Sequence, residues 1–430
     1  MPKKPILILF AVIFSIFCLA ALSGCQKQSV AALYDVESAA PSAQAPPSAS
    51  PAAQDSDAPQ ASQVPPAPSP TPAPPSPSPT PEPVLADWTG GIEHIFFHPL
   101  VAYPQLAFDG DSLSQGYDDW FVTVDEFKKI LDSLYAKGYI LVDINALIDT
   151  SAAPPSSGTS IKVTRARLML PDGKKPLVLS VDDLNYYDYM RKNGDNYKLV
   201  LDQNGDVAAY SKDPLGNEVI SRDNEIIPIV DNFVSQHPDF SLNGAKGTIC
   251  ETGYEGVLGY RTDLLDSPTY ARDKADAMAV VARLKATGWN FASHGYFHRH
   301  MNGISYSSFV EDTDRWLKEV APIIGQTQVF VYPFGEFVDS DTTKFAYLEK
   351  KGFRIYCGVG IKIYNRWAAD HLYMDRADID GYAMRNHKAD ISRFFDPDAV
   401  LDRQARAQYL PKKGSPAKPG AAASGGQPAM

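Results

Sequence analysis

From residue 92 to residue 359 the chain repeats one unit. A short apolar run, rich in branched and aromatic residues, gives way to a polar turn. A longer stretch follows, with apolar residues every three or four positions. The short runs read as strands and the longer ones as helices. Strands alternating with helices of about 10–18 residues build parallel βα units, because a parallel neighbour needs a crossover connection. About six or seven such strands can be counted. That favours an irregular (β/α) barrel of about seven parallel strands over an open sheet.

The units follow in order. Residues 92–100 (IEHIFFHPL) form the first strand, and a loop with Gly110, Asp111 and Gly116 comes next. Thr123 then caps a helix, with Glu126 three residues on completing a capping box. Phe127, Ile130, Leu131 and Leu134 give that helix its apolar face, and Gly138 ends it. Residues 139–148 are a strand and a short helix, 149–160 a flexible loop, and 161–170 a strand-like excursion before the Asp172-Gly173 turn. The run 176–181 is the next strand. Turn signals at 203–206 and 214–217 separate three short runs, which read as a β-meander. With a helix over 226–236, the meander makes a small β insertion, about 195–245, expected to cover the rim of the site. Strands at 247–250, 289–292, 328–332 and 353–359 then alternate with helices at 270–287, 306–320 and 342–351.

Both ends of the chain lie outside this pattern. Met1-Pro2-Lys3-Lys4 is basic, and residues 5–22 are apolar apart from Ser15. Leu22-Ser23-Gly24-Cys25 follows. Small residues before a cysteine at the end of such a run resemble the bacterial lipoprotein signal, the lipobox. The implied processing removes residues 1–24 and attaches lipid to the sulfur of Cys25. An uncleaved transmembrane helix is the other reading, since about 18–20 apolar residues span a bilayer. Lys27 alone is a poor flank for it. Residues 25–84 are Ala-, Ser-, Pro- and Gln-rich, with almost nothing aliphatic to bury, and are expected to form a disordered tether. Its extended reach is on the order of 180 Å at about 3.1 Å per residue. Residues 411–430 read as a second disordered tail, which leaves 85–410 as the folded body.

A net charge of −11 argues against nucleic acid or an anionic membrane surface as partner. The 22 tyrosines and 20 phenylalanines suit a solid core and a carbohydrate-facing groove equally well. Of the 4 cysteines, Cys18 lies in the leader and Cys25 is the lipidation candidate. Cys250 and Cys357 make no disulfide framework and read as two buried thiols rather than a bridge.

The chemistry-bearing residues gather at two strand ends. Leu179-Ser180-Val181-Asp182-Asp183 closes one apolar run with two carboxylates; Ser293-His294-Gly295-Tyr296-Phe297-His298 follows another and holds two histidines four apart. In α/β sheets and barrels, chemistry collects at the C-terminal ends of strands. Side by side, these ends bring Asp183, His294 and His298 around one divalent ion. Two imidazoles, a carboxylate and an open position make a catalytic zinc site. Asp182 is left over as a base.

These residues also carry a family resemblance. Residues 90–385, apart from the insertion, resemble the polysaccharide deacetylases, the NodB homology domain of carbohydrate esterase family 4. The family's T-F-D-D motif corresponds to Ser180-Val181-Asp182-Asp183, and its paired histidines correspond to His294 and His298 after Gly288-Trp289-Asn290-Phe291-Ala292-Ser293. Its third motif, R-x-P-Y or Y-P-Y-G, corresponds to Tyr332-Pro333-Phe334-Gly335. The resemblance implies Asp183, His294 and His298 as ligands of a divalent metal, zinc, and Asp182 as general base. Tyr332, Pro333 and Phe334 would contact substrate, and a backbone N–H near Phe334 would face the oxyanion. The third motif's arginine is absent, and Arg376, in Met374-Asp375-Arg376-Ala377-Asp378, replaces it from a later strand. The late L-x-H motif, whose histidine protonates the leaving amine, is not evident; His387 stands nearest to its place. His94, His98 and His300 read as strand or rim residues, and Tyr306, Phe309 and Trp316 as core.

The activity implied is metal-dependent hydrolysis of N-acetyl groups on a cell-wall or extracellular polysaccharide. The enzyme would be a monomer, lipid-anchored at the outer face of the bacterial cytoplasmic membrane and reaching into the cell wall. The missing arginine and late histidine keep two other functions open. One is an O-acetyl esterase on the same fold, since an alkoxide leaves without an acid. The other is a catalytically impaired surface glycan-binding protein.

Overall fold

Seven parallel strands form a closed ring: β1 (Glu93–Phe97), β2 (Lys175–Asp182), β3 (Gly247–Glu251), β4 (Trp289–Ser293), β5 (Val329–Val331), β6 (Ile355–Val359) and β7 (Leu372–Asp378). Each pairs with the next in sequence, and β7 returns to β1. This is the irregular (β/α) barrel expected from the alternation. The irregularity sits at two seams: β4 meets β5 only through Ser293 and Phe330, and β7 meets β1 only through Ala377–Ile95 and Asp378–Phe96. The computed structural model describes residues 84–151 and 161–407. The leader with Cys25, nearly all of the Pro-rich segment and the C-terminal tail lie outside the described residues.

Alternation along each strand sorts the core into two layers. Leu177, Leu179 and Val181 of β2 face outward into the larger apolar cluster, beneath the helices. Val178 faces inward and joins Cys250, Ala292, Val331, Cys357 and Met374 inside the ring. Each fully buried Val, Leu or Met among them contributes about 1.5–3 kcal/mol. Cys250 and Cys357 are both buried and unbridged, as expected.

The helices that matter here are α1 (Ser114–Trp120), α2 (Val124–Ala136), α3 (Ile226–Gln236), α4 (Tyr270–Ala286), α5 (Tyr306–Glu319), α6 (Thr343–Lys351) and α7 (Gly381–Asn386). The capping box of α2 is present: Glu126 N donates to Thr123 Oγ1 at 3.2 Å, and Thr123 N donates to Glu126 Oε2 at 2.8 Å. After α4 the chain turns at Gly288, with φ 98°; a Cβ there would stand 1.8 Å from the Gly244 carbonyl oxygen, so only glycine fits. The segment read as a plain loop around Gly110 holds α1. Its Gly116 lies mid-helix, and Asp111 supplies the turn by accepting from Leu113 and Ser114 N–H.

The meander also forms, as antiparallel strands Lys198–Leu201, Val207–Lys212 and Glu218–Ser221. It does not cover the rim of the site. Leu199, Val207 and Ala209 join the outer core, and Asp206 pairs with Arg222 and with Arg283 of α4. An apolar underside and a charged clasp to α4 hold it against the flank of the barrel. No helix among the described residues is long and apolar enough to cross a membrane.

Candidate functional site

The inward rows of the strands change character along their length. On β2 the row is Val178, Ser180, Asp182; on β7 it is Leu372, Met374, Arg376, Asp378. Period two therefore carries the barrel interior from apolar at its base to charged at the strand ends. There a cleft of about 290 Å³ opens, lined by Phe96, His98, Trp120, Asp182, His294, His298, Phe334, Gly335, Glu336, Val359, Arg376 and Asp378. No residue of the meander lines it.

Asp183, His294 and His298 come together, each offering a ligand atom within 4.8 Å of the others. Backbone geometry makes this possible. β2 ends at Asp182, and Asp183 turns at φ 58°, so both carboxylates of the pair reach one site. His298 and Phe334 have φ 51° and 59°. Positive φ in residues with a Cβ is costly, and here three such residues surround one cleft.

The surrounding shell prepares each ligand. Tyr187 OH donates to Asp183 Oδ1 at 2.9 Å and lies 2.8 Å from Thr252 Oγ1. Asp183 Oδ2 is buried without a hydrogen-bond partner, 3.9 Å from His298 Nε2. His294 Nδ1 donates to the Val331 carbonyl at 2.9 Å, which leaves Nε2 as the basic nitrogen. Burial brings both histidines down to about 4, against the pull of Asp182, so both are neutral at pH 7. Burial pushes Asp183 up. A buried, orphaned carboxylate oxygen beside two neutral imidazoles fits a divalent cation.

Asp182 has a different environment. Arg376 grips it with two hydrogen bonds, Nη1 to Oδ1 at 2.7 Å and Nη2 to Oδ2 at 2.9 Å. Arg376 is itself buried, with Nη1 also 3.2 Å from Ser180 Oγ and its guanidinium 4.1 Å from the centre of the Phe96 ring. Burial alone would raise the Asp182 carboxyl. Arg376, then His294, outweigh it and hold Asp182 well below the usual carboxylate range. Asp182 Oδ2 is 3.7 Å from His294 Nε2.

Other expectations fare differently. Tyr332 does not face the cleft. It continues the outward row of β5 after Phe330 and is fully buried against Phe330, Phe337 and Tyr356. Pro333 is buried too and lines no part of the cleft. Phe334 alone of the three reaches it, with its ring edge-on to His298 at 4.6 Å and stacked on His300 at 3.9 Å. His300 is the rim residue expected, 3.0 Å from Glu336. His387 ends α7 with its side chain 43% exposed and does not line the cleft. Trp316 and Phe309 are core, whereas Tyr306, in the first turn of α5, is exposed.

One residue passed over as strand or rim lies in the cleft. His98 continues the inward row Ile92, His94, Phe96 of β1, and its Nδ1 is 3.1 Å from the Trp120 carbonyl oxygen. Period two within IEHIFFHPL was the available signal. Below it, His94 is buried, 3.0 Å from Ser180 Oγ. Among the described residues a second group, Glu349, Asp370 and His371, lies close enough for a cation. There His371 Nδ1 is already bound to Asp370 at 2.6 Å, at the start of β7 and so at the far end of the barrel.

No curated protein matches the sequence. Among solved structures, the Streptococcus pyogenes deacetylase PplD in complex with acetate is 14% identical, over 70% of this chain and 94% of its own, at a TM-score of 0.38. A polysaccharide deacetylase from Bacillus cereus is 14% identical, over 70% of this chain and 69% of its own, also at 0.38. A family 4 carbohydrate esterase from Streptomyces lividans in complex with acetate is 16% identical, over 42% of this chain and 82% of its own, at 0.23. Residues 267–356, which hold His294, His298 and Phe334, match a family model described as polysaccharide deacetylase.

Proposed function

We propose that this protein is a metal-dependent deacetylase that hydrolyses N-acetyl groups of a cell-wall or extracellular polysaccharide. One observation carries the reading. Asp183 holds an orphaned carboxylate oxygen beside His294 and His298 and next to the Asp182–Arg376 pair, and the two histidines lie in the segment that matches the deacetylase family. A divalent ion held by those three residues would supply Lewis acidity and a water that is nucleophilic near neutral pH.

The chain's own residues do the rest. Asp182 takes a proton from the attacking water as its oxygen adds to the acetyl carbon. Arg376 keeps that carboxylate ionised and fixes its plane through two parallel bonds. His98 uses Nδ1 on the Trp120 carbonyl, which leaves Nε2 to deliver a proton to the leaving nitrogen as the C–N bond breaks. The products are acetate and a free amine. A backbone N–H near Phe334 faces the developing oxyanion, a contribution worth about 2.7–4 kcal/mol per donor elsewhere. In this reading Arg376 takes the place of the missing arginine and His98 that of the late histidine.

Acetate release from chitooligosaccharide, peptidoglycan and acetyl-xylan, with chelator and with Zn²⁺ restored, tests the proposal. Metal-dependent release from an N-acetylated substrate supports it. Release from acetyl-xylan alone makes the protein an esterase, and binding without release makes it a glycan-binding protein. The leader supports a lipid anchor at Cys25 and a place on the outer face of the cytoplasmic membrane. Membrane fractionation tests this, since Cys25→Ala should be released or left unprocessed.

A further inference from the structure

Two aromatic ledges border the cleft, and the chemistry above uses the backbone of Trp120 and of the Phe334 turn but none of the rings. The first is Trp120 at the end of α1 with Tyr382 in α7. Their rings stack at 5.8 Å between centroids and 25° between planes, and Tyr382 is 39% exposed. Trp120 also lines the cleft, so the ledge is continuous with it. The second is Phe334 with His300, stacked at 3.9 Å and 10°, His300 being steadied by Glu336 at 3.0 Å.

The first ledge is rigidly built. Gly381, which opens α7, lies so close to α1 that a Cβ there would meet the Asp118 carbonyl oxygen at 1.9 Å. Arg385 of α7 donates to that carbonyl at 3.0 Å and pairs with the Asp118 carboxylate at 3.0 Å. Buried Arg406 donates to the same carbonyl at 2.8 Å. Such a scaffold fixes the two rings before any ligand arrives, and a fixed platform loses little freedom on binding.

Position in the ring sets the two ledges apart. Trp120 is tied to His98, just beyond β1, whereas Phe334 follows β5. β5 and β1 are three strands apart through β6 and β7, the greatest separation a ring of seven allows. Asp182, His294 and His298 line the cleft between them, with Asp183 buried behind the two histidines' site. Pyranose rings present flat C–H faces and polar edges. Flat aromatic surfaces with polar rims, here Glu336 and Asp378, suit them.

We infer that the cleft takes the interior of a polysaccharide chain: one neighbouring sugar rests on the Trp120–Tyr382 ledge, another on the Phe334–His300 ledge, and the acetylated residue lies between them. This rests on the deacetylase reading for the identity of the middle sugar, but the ledges bind glycan with or without turnover. The enzyme therefore acts within chains rather than at their ends.

The test uses the purified full-length protein with the hexamer and dimer of β-1,4-linked N-acetylglucosamine. Binding is read by calorimetry, and acetate release is read separately. The parent should bind the hexamer more tightly than the dimer by more than about tenfold, since each occupied ledge contributes an anchor of the size of an interface hot spot. Tyr382→Ala should weaken hexamer binding about tenfold and lower the hexamer-to-dimer ratio of kcat/KM similarly. Tyr382→Phe, which keeps the ring, should restore both. No binding of the hexamer to the parent, equal affinity for hexamer and dimer, or Tyr382→Ala indistinguishable from the parent would each overturn the inference. A parent that binds the hexamer through Tyr382 but releases no acetate would leave the ledges standing and remove the deacetylase reading.

Discussion

Asp182 and Asp183 are chain neighbours with opposite surroundings, and the difference assigns their tasks. Asp183 has one oxygen held by Tyr187 and the other orphaned toward His298. Asp182 has both oxygens on Arg376. Asp183→Asn should therefore lose bound metal, measured by elemental analysis of the purified protein. Asp182→Asn should keep metal and lose about 10²–10⁴-fold in rate. If the two variants show the reverse pattern, the roles are exchanged. Arg376→Ala removes the charge that outweighs burial at Asp182, so that carboxyl should rise and be protonated at higher pH. The acid limb of kcat/KM should then move upward in pH; an unmoved limb would show that Arg376 does not set Asp182. His98→Gln should suppress amide hydrolysis far more than hydrolysis of p-nitrophenyl acetate, whose phenolate leaves without an acid. Equal losses on the two substrates would exclude His98 as the proton donor. Most of these residues were legible in the sequence because a carboxylate pair and an H-x-x-x-H pair each end an apolar run. His98 and Tyr332 were misjudged for one shared reason. Strand parity puts His98 on the inward row and Tyr332 on the outward row, and motif matching ignores parity.

At the level of elements, local rules read well and long-range ones do not. The capping box of α2 and the limits of α3 followed from spacing alone, because their physics lies within four residues. What Glu126 does besides capping was not legible. Its carboxylate also accepts from Arg406 Nε at 2.8 Å and Nη2 at 2.7 Å, and from Asp402 N at 2.8 Å. These partners lie far along the chain, and both Glu126 and Arg406 are fully buried. The pair fastens the last described turn of the chain onto α2. Arg406→Ala leaves Glu126 buried and unpaired, so a loss of about 3–5 kcal/mol is expected in urea unfolding. Adding Glu126→Gln removes the stranded charge, and the double variant should be less destabilised than the sum of the single changes. Strict additivity would mean that the two side chains do not act as a pair. The meander shows the same limit. Its turns were readable, but its resting place on α4 depends on Asp206 meeting Arg283 across 77 residues.

For the molecule as a whole, periodicity counts strands but cannot close a ring. Closure rests on β3 meeting β2 and on β7 meeting β1, pairings that join distant segments through few residues. Glu225 helps to tie these distant parts together. Its carboxylate caps α3 through Ile226 N at 2.8 Å, and accepts from Leu100 N beyond β1 at 3.2 Å, from Tyr186 OH beyond β2 at 2.8 Å, and from Asn196 Nδ2 at 3.1 Å. Burial pushes this group from 4.5 up to about 7 in spite of those bonds. The sign follows from proton binding. Between pH 4.5 and about 7 the folded chain keeps a proton on Glu225 that the unfolded chain has released. Stability from this group is therefore complete below the unfolded value and is lost as pH rises through the folded one, by on the order of 3 kcal/mol in total. Asp380, raised to about 6 chiefly by burial, acts in the same direction, whereas Asp182, held low, acts in the opposite direction at the acid end. The parent alone thus reports a sum, and the contribution of Glu225 must be isolated by difference. Glu225→Gln keeps an acceptor and cannot ionise. The urea unfolding free energy of the parent minus that of Glu225→Gln, measured from pH 4.5 to pH 8, should fall steadily and then level off above about pH 7. A difference that stays flat across that window would show that Glu225 does not hold its proton in the folded barrel.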